Sequence, residues 1–329
     1  MLEVDPSVLE RPDDEDYNSA GYDTSTASLS SSVHQYLFEH GRRYHAYYGP
    51  DKYLMPTDEK EQARLDLHHE VMRMLWDDKL HESPLNEPHR ILDIGTGTGI
   101  WAIEMADQYP MAEVIGTDLS PIQPEWVPAN CRFEVDDAML EWTFKDESFD
   151  FIHGRNISSG VSNWEHLVSE MMRCTNPGGY IELCEYAIAV FCDDGTMKPD
   201  NGAKIYIDHM RDAMKKMGRP PPDPQFMKRL LENAGFEDVH SLEVKEPLGP
   251  WPKDPKQKRI GAMSLLNCET GIESYAMAAF TRVLGMEAEK ARSICDAGLS
   301  ATRNKNNHMY GKYYRVYGRK PKGTGVTDA

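Results

Sequence analysis

Three glycines lie at the junction between a predicted strand and a predicted helix, in the segment ILDIGTGTGIWAIEMA. Gly95, Gly97 and Gly99 let the backbone approach a ligand closely, in conformations that a Cβ atom would forbid. Their spacing is G-x-G-x-G, and residue 100 is isoleucine, so the dinucleotide fingerprint G-x-G-x-x-G fails at its third glycine. The acid ahead of them, Asp93, does not belong to that fingerprint either. The loop therefore indicates a ligand site of another kind, with a turn needed only for packing as the alternative.

Acidic residues follow the next two predicted strands. Asp118 comes nineteen residues after Gly99, at the end of EVIGTDL, where a carboxylate can accept two hydrogen bonds from a ribose diol. In CRFEVDDAML, Asp136 and Asp137 fall in the loop after the third strand, and one of them could accept a hydrogen bond from an adenine amino group. Ala138 leaves room for the ring. Together the loops indicate a ligand that contains a ribose and an adenine.

Short apolar runs alternate with helical segments from about residue 90 to residue 190, and this alternation must position the loops. Strands separated by helices predict right-handed βαβ units, and therefore an α/β fold with a doubly wound, mostly parallel sheet. The carboxyl ends of parallel strands share one edge of the sheet, where ligands bind. The strand-like runs are RILDI (90–94), EVIGTDL (113–119), FDFIHG (149–154) and YIELCEY (180–186), and the helical ones are IWAIEMADQY and WEHLVSEMMRCTN.

Three features in combination resemble the S-adenosylmethionine site of class I methyltransferases: the acid-x-G-x-G-x-G loop, the acid that ends the second strand, and the Asp-Ala pair after the third. Longer segments are similar to the fungal LaeA-like methyltransferases, and together they cover most of residues 40–321. These segments are GRRYHAYYGPDKYLMPTDEKEQARLDLHHEV, ILDIGTGTGIWAIEMADQYP, IGTDLSPIQPEWVPANCRFEVDD, FDFIHGRNISSGVSNW, NPGGYIELCEY, GPWPKDPKQKRIG and YYRVYGRKP.

The resemblance implies a Rossmann-like sheet of seven strands with an antiparallel last strand, an N-terminal helical cap and a helical insertion at about 200–304. It also implies S-adenosyl-L-methionine as the cofactor. In that site Gly95, Gly97 and Gly99 line the methionine part, Asp118 the ribose and Asp137 the adenine. The further cofactor residues of the pattern are Asp93, Thr96, Leu119, Asp136 and Ala138.

Three regions are predicted along the chain. Residues 1–33 hold eight acids and one base, and they are expected to form a disordered acidic tail, with an interaction tail as the alternative. Residues 34–85 form the cap segment, with Thr57 as the expected N-cap of its helix. Residues 86–322 form the methyltransferase domain. Four tyrosines of the cap either staple it to the core or cover the cofactor: Tyr44, Tyr47, Tyr48 and Tyr53.

Two side chains near strand ends are candidates for acid–base chemistry. A sulfonium methyl group is already activated, so alignment and exclusion of water are the main requirements and a general base is optional. His153 closes the run FDFIHG, where a hydrogen-bonded histidine at a strand end is the alternative. Glu185 is near the carboxyl end of its strand, on the face opposite Glu182, and its alternative is a solvated strand end.

Composition and charge argue against several classes. The 36 lysines and arginines against 54 acids give a net charge of −18, which argues against nucleic-acid binding. The chain has no run of 18 apolar residues and no C-x-x-C pair, so neither a membrane partner nor a cysteine metal site is expected. His68 and His69 point to different helix faces, so no metal is expected there. A cytoplasmic location is expected, with the nucleus as the alternative.

Two functions stay open at this point. The first is methyl transfer to oxygen or nitrogen of a small molecule in fungal secondary metabolism. It is favoured because the N-terminal tail of this chain is short, whereas family regulators often carry longer low-complexity tails. The second is a LaeA-type regulator of secondary metabolism that acts in a nuclear protein complex. A nucleic-acid amino-methyltransferase is disfavoured because HGRNI lacks the N/D-P-P-Y/F pattern of such enzymes. The two open functions differ in the partner, which is a small-molecule acceptor in one and a protein in the other.

Overall fold

The computed structural model describes residues 35–49 and 52–322. The predicted acidic tail, residues 1–33, lies outside these ranges. The strands are β1 Tyr36–Glu39, β2 Arg42–His45, β3 Arg90–Ile94, β4 Glu113–Asp118, β5 Cys131–Val135, β6 Phe149–Arg155, β7 Thr175–Tyr186, β8 Glu237–Pro247 and β9 Tyr310–Arg319. The helices are α1 Glu59–Leu75, α2 Ile100–Gln108, α3 Trp164–Cys174, α4 Gly202–Lys216, α5 Pro224–Asn233, α6 Pro255–Ala278, continued by a π-helical turn Ala279–Val283, and α7 Ala288–Arg303.

Seven of the strands form one sheet in the order β5–β4–β3–β6–β7–β9–β8. Strands β3 to β7 are parallel to one another, whereas β9 is antiparallel to both β7 and β8. The carboxyl ends of β3, β4, β5, β6 and β7 therefore share one edge of the sheet. The predicted fold class, a doubly wound and mostly parallel sheet of seven strands with an antiparallel last strand, is confirmed.

Helices cover both faces of this sheet, so the side chains of its inner strands are buried on both sides. Ile152 of β6 packs with Leu167 of α3 in one layer. Ile91 of β3 packs with Trp101 of α2 in the other. Because successive strand residues face opposite layers, β3 and β6 need apolar residues at almost every position, and this requirement produced the continuous runs in the sequence.

The chain ahead of the sheet forms a hairpin of β1 and β2, which was not predicted, followed by α1. The N-cap prediction was wrong by one residue: Asp58, not Thr57, caps α1, and its carboxylate accepts the Glu61 N–H at 3.0 Å. The same carboxylate accepts two hydrogen bonds from the Arg42 guanidinium, at 2.7 and 2.8 Å. A carboxylate also interacts favourably with the helix dipole, and this explains why Asp58 rather than Thr57 caps the helix.

The residues between 200 and 304 divide between the sheet domain and a separate helical layer. Helix α5 and strand β8 belong to the sheet domain, because Leu231 packs in its core and β8 is its edge strand. Helices α4, α6 and α7 pack on one another and on the π-helical turn, around Phe280. The helical insertion is therefore discontinuous in sequence. None of the described helices is both long and apolar enough to cross a membrane.

Candidate functional site

The glycine loop between β3 and α2 adopts a backbone that residues with a side chain rarely adopt. Gly95, Gly97 and Gly99 have φ angles of +65°, +60° and +80°. A Cβ atom on Gly95 would lie 2.6 Å from Ile157, and one on Gly99 would lie 2.3 Å from the Phe133 ring. At Gly97 the nearest contact of such a Cβ would be an ordinary 3.7 Å. Packing therefore requires glycine at positions 95 and 99, whereas at position 97 only the left-handed backbone favours glycine.

Asp93 is buried at the end of β3 and holds this loop. One carboxylate oxygen accepts a hydrogen bond from the Thr96 hydroxyl at 2.6 Å, and the other accepts the His153 Nδ1–H at 2.7 Å. The His153 ring stacks on Trp101 with the centroids 3.8 Å apart. Burial lowers the pKa of His153, although Asp93 opposes this, so the ring is neutral at neutral pH. His153 thus supports the loop and does not line the cavity described below.

Asp118 at the end of β4 connects the glycine loop to the next turn. Its carboxylate accepts the Gly97 N–H at 2.8 Å and the Ser120 N–H at 3.0 Å, and it also faces the Leu119 N–H. Burial raises the pKa of Asp118 to about 6 against these hydrogen bonds. Lone pairs remain on the carboxylate for a diol. Burial raises the pKa of Tyr53, a residue of the N-terminal segment, and the charge of Asp118 adds to this.

Asp136 and Asp137 follow β5, beside the Asp118 turn. Asp137 is buried and pairs with the Lys52 ammonium at 2.6 Å. The Asp136 carboxylate accepts the Asp137 N–H at 2.8 Å, and burial raises its pKa. Burial and the charges of both aspartates raise the pKa of Tyr48 to about 12. Ala138 packs against the sheet core. The structure thus brings the predicted cofactor residues together at the edge formed by β3, β4 and β5.

The N-terminal segment covers these loops. Helix α1 reaches the glycine loop, where the Thr98 hydroxyl donates a hydrogen bond to Asp66 at 2.7 Å. The four tyrosines of this segment differ in environment: the charges of the predicted cofactor acids act on Tyr48 and Tyr53, Tyr44 is buried in the helical layer, and Tyr47 is exposed.

Helix α1 is also tied to α2 and to the end of β6. The His69 ring lies between the Glu104 carboxylate, 3.0 Å from Nε2, and the Arg155 guanidinium, which donates to Nδ1 at 3.1 Å. Burial and the charge of Arg155 lower the pKa of His69 to about 3. The ring is therefore neutral, with its proton on Nε2 toward Glu104. This contact fixes α1 in front of the glycine loop.

A cavity of about 210 Å³ lies at the carboxyl ends of β6 and β7, against α4 and α6. Its wall is mainly apolar and rich in methionine, with Met55, Met210, Met214 and Met217. In the described ranges of the chain, no lysine or arginine lines it. Its carboxyl, imidazole and amide groups come from His68, Asn156, Glu185, Glu246 and Asn267.

The cavity adjoins the predicted cofactor loops on two sides. Ile157, which would contact a side chain at position 95, is followed by Ser158 and Ser159 in the cavity wall. On the other side, the charge of Asp118 acts on Tyr53, and the next residue, Leu54, lines the cavity. A group held on the glycine loop and a molecule held in the cavity would therefore be neighbours.

Asn156 and His68 supply polar groups on the side of the cavity that adjoins the glycine loop. Asn156 has a φ of +56°, a left-handed conformation that asparagine tolerates better than most residues, and its Nδ2–H donates to His68 Nε2 at 2.8 Å. Asn156 Oδ1 is buried and has no hydrogen-bond partner within the described part of the chain. Burial and the charges of Arg64 and Arg155 hold the pKa of His68 well below its usual value, so the ring is a neutral acceptor.

Neither residue was predicted for the site. The available signal for Asn156 was its place directly after the β6 run, where a turn-forming asparagine follows a strand end. For His68 the sequence pattern bears only on metal binding, which it argues against. Its position across from Asn156 depends on how α1 packs, which the sequence pattern does not encode.

Glu185 and Glu182 point to opposite faces of β7, as the alternation predicted. Glu185 lines the cavity, and its carboxylate accepts the N–H groups of residues 157 and 158 at 2.9 and 3.4 Å. Burial raises its pKa to about 7. Glu182 instead accepts hydrogen bonds from residues 82 and 83 and lies 3.6 Å from Arg315 Nε. Of the two, only Glu185 can meet a molecule in the cavity.

Known proteins resemble this chain over most of its length. Residues 61–241 match a family described as a methyltransferase domain. "Methyltransferase pytC" of Aspergillus terreus is 38% identical over 311 residues, which cover 94% of this chain and 95% of that protein. "Secondary metabolism regulator LAE1" of Cochliobolus heterostrophus is 37% identical over 290 residues, 86% of this chain and 94% of that one. "Protein-methionine methyltransferase laeA" of Emericella nidulans is 32% identical over 300 residues, 89% and 79% of the two chains.

Proposed function

The chain belongs to the LaeA-like family of class I S-adenosylmethionine-dependent methyltransferases, and from this premise we propose that it methylates oxygen or nitrogen of a small, largely apolar molecule in fungal secondary metabolism. The observation that carries the proposal is the cavity of about 210 Å³ that adjoins the glycine loop. Its methionine-rich wall matches an apolar molecule, because methionine side chains adapt to irregular shapes. Its polar groups next to the loop can orient the atom that is methylated.

The cofactor loops fit S-adenosylmethionine in their donors and acceptors. When bound, this cofactor supplies a methyl group activated by the sulfonium charge. We assign Gly95, Gly97 and Gly99 to its methionine part, since their loop follows the carboxyl end of β3 and is bound to the Asp118 carboxylate. Asp118 keeps lone pairs for the ribose hydroxyls. Asp137 is assigned to the adenine amino group, with its charge balanced by Lys52.

Glu185 is the proposed general base. Its carboxylate is fixed by two backbone N–H groups and lines the cavity. A pKa of about 7 matches a base that works near neutral pH, since the carboxylate is then both available and basic enough to take a proton from an acceptor hydroxyl or amine. The unpartnered Oδ1 of Asn156 can accept a second hydrogen bond from the acceptor and so orient it.

His153, the other predicted base, takes a positioning role in this proposal. Its Nδ1–H is bound to Asp93 and its ring is stacked on Trp101, so it fixes the carboxylate that holds Thr96 of the glycine loop. In this role His153 is held in place by the stack on Trp101 and does not contact the acceptor. Asp93 and Thr96 thereby act on cofactor binding through the backbone of the loop.

A LaeA-type regulator is the second candidate function. The relatives named as a secondary metabolism regulator and as a protein-methionine methyltransferase favour it, at 37% and 32% identity. In this case the acceptor is a protein side chain, the chain works in a nuclear complex, and the cavity serves another ligand. Affinity purification from native extract should then recover a stable protein partner. A small-molecule enzyme predicts no such partner and a cytoplasmic location.

Comparison of metabolites from a strain that lacks the gene with those of its parent tests the two functions. The proposed function predicts that one compound disappears and that a precursor lighter by one methylene accumulates, detected by untargeted mass spectrometry. Purified protein should convert this precursor in the presence of S-adenosylmethionine. A joint fall of many unrelated metabolites, with no such precursor, would instead favour the regulator.

A further inference from the structure

A second carboxyl group lines the cavity without a part in the proposed chemistry. Glu246 is 4% exposed and lies at the carboxyl end of β8. Strand β9 lies between β8 and β7, the strand that carries Glu185. Since neighbouring strands are about 4.8 Å apart, the two carboxyl groups belong to different parts of the cavity wall. Burial raises the pKa of Glu246 to about 7, although the Ser264 hydroxyl opposes this.

No cation faces Glu246 among the residues that the structure describes around it. The adjacent lysines point to the other face of the sheet, where Lys245 binds Asp193 at 2.7 Å and Lys312 binds Glu243 at 2.8 Å. The groups that do face Glu246 have their own pKa values raised by burial and by its charge, so they are neutral at neutral pH. They are Tyr186, Cys268, Tyr275 and Tyr313. The Arg64 guanidinium lies over one face of the Tyr275 ring, 4.9 Å from its centroid, and is bound to Glu61.

Three tyrosine rings lie around this carboxyl group. Tyr186 and Tyr313 are opposite each other on β7 and β9, with ring centroids 4.9 Å apart. Gly311 pairs with Glu246 across β9 and β8, and a Cβ atom on Gly311 would lie 2.3 Å from the Tyr186 hydroxyl oxygen. Glycine at this position therefore lets the Tyr186 ring lie across β9 toward Glu246. Tyr275 approaches from α6, and all three rings line the cavity.

We propose that this part of the cavity binds an organic ammonium group carried by the acceptor, with the Glu246 carboxylate as counter-ion and Tyr186, Tyr275 and Tyr313 as π faces. A buried carboxylate without a counter-ion is costly, and a cation that enters an aromatic-lined space next to it removes that cost. The inference rests on the proposed function, because it takes the cavity as the acceptor site. It narrows the substrate class to apolar molecules with a basic nitrogen besides the atom that is methylated.

Carboxylate and phosphate acceptors are excluded by the same arrangement. The described wall of the cavity offers them two carboxyl groups and no lysine or arginine. An anion in this space would meet charge repulsion as well as desolvation.

Binding of three probes with the same alkyl chain tests the inference: hexylamine, 1-hexanol and hexanoate. Calorimetry on the full chain with S-adenosylhomocysteine, near pH 8, should show that the amine binds about tenfold more tightly than the alcohol and that hexanoate binds most weakly. Glu246→Gln should weaken amine binding about tenfold and leave the affinity for the alcohol unchanged. The matched variant Glu185→Gln should keep the preference for the amine.

Equal affinities of the wild-type protein for the amine and the alcohol would overturn the inference, and this result does not depend on any variant. An amine preference that persists in Glu246→Gln, or that disappears only in Glu185→Gln, would overturn it as well. The failure of the proposed function looks different. A protein that shows the probe series but methylates no small molecule rejects that function alone, whereas an active enzyme with a flat series rejects only the ammonium site.

Discussion

At the residue scale, two equally buried glutamates of β7 differ in whether a positively charged side chain lies beside them. Glu182 is as buried as Glu185, but it faces Arg315 and is held by hydrogen bonds from residues 82 and 83. Glu185 has no lysine or arginine beside it in the described cavity wall, and burial raises its pKa to about 7 against hydrogen bonds from the N–H groups of residues 157 and 158 and the Ser158 hydroxyl. Two glutamates three positions apart thus differ in chemistry because their partners differ.

Glu185→Gln tests the proposed base. With a hydroxyl acceptor, kcat is expected to fall about 100-fold, because glutamine keeps the shape of the side chain but takes up no proton. In the wild-type protein kcat/KM should rise with pH to half of its plateau near pH 7, since the base is active when deprotonated and its pKa is about 7. Glu243→Gln, on the outer face of β8, is the control. A variant with the rate and pH profile of the wild type would remove Glu185 from the chemistry.

Asp118→Ala tests the proposed ribose contact. The affinity for S-adenosylhomocysteine should fall about 10- to 100-fold, because hydrogen bonds to a charged acceptor are lost. Wild-type affinity should also decrease as the pH falls below about 6, where Asp118 takes up a proton and loses acceptor strength. Calorimetry measures both effects, with Asp107→Ala on the exposed side of α2 as the control. Unchanged affinity would place the ribose elsewhere.

At the scale of the secondary-structure elements, the order of the strands in the sheet decides which loops are neighbours. Because β3 lies between β4 and β6, the glycine loop has the Asp118 turn on one side and Asn156 on the other. Helix α1 then closes the front through Asp66 and His69, which bind Thr98 and the end of β6. The loop itself is held by the close contact of Gly99 with β5, so its backbone conformation is part of the packing.

Gly99→Ala tests this coupling of conformation and packing. The substitution should lower the free energy of unfolding by about 3 kcal/mol, since alanine pays for a left-handed backbone and its Cβ overlaps the Phe133 ring at 2.3 Å. The matched variant Gly218→Ala has a similar φ of +72° with nothing within 4 Å, so it should lose only about 1 kcal/mol. Urea denaturation measures both. Equal losses would show that Phe133 moves away freely.

Two buried carboxyl groups connect the cavity at the ends of β6 and β7 with the stability of the whole molecule. Glu185 and Glu246 both have pKa values raised to about 7, and the described wall around them holds no lysine or arginine. The folded protein therefore keeps protons on these groups at pH values where the unfolded chain has released them. Stability is lost through both groups as the pH rises from about 4.5 to about 7.

Glu246→Gln should remove the part of this stability loss that comes from Glu246. The variant is expected to match the wild-type protein near pH 4 and to be more stable near pH 8, by up to about 3 kcal/mol, because glutamine has no charge to bury. Urea denaturation at the two pH values measures the difference. Glu243→Gln, which removes an outer-face acid of the same strand, should show no comparable gain at high pH. If the stability of the Glu246 variant and of the wild type depended on pH in the same way, the raised pKa of Glu246 would be contradicted.

Sequence alone determined the fold class and the loops at the strand ends, because both are written in local patterns. Apolar runs with turns between them define the strands, and glycines or acids at the ends of those runs define the loops. The tertiary structure decided which side chains meet. His153 stacks on Trp101, and Asn156 forms a hydrogen bond with His68, which lies 88 residues earlier in the sequence. Such partners depend on how α1 and the helical layer pack on the sheet, and burial against distant partners sets the charge and therefore the chemistry of each group.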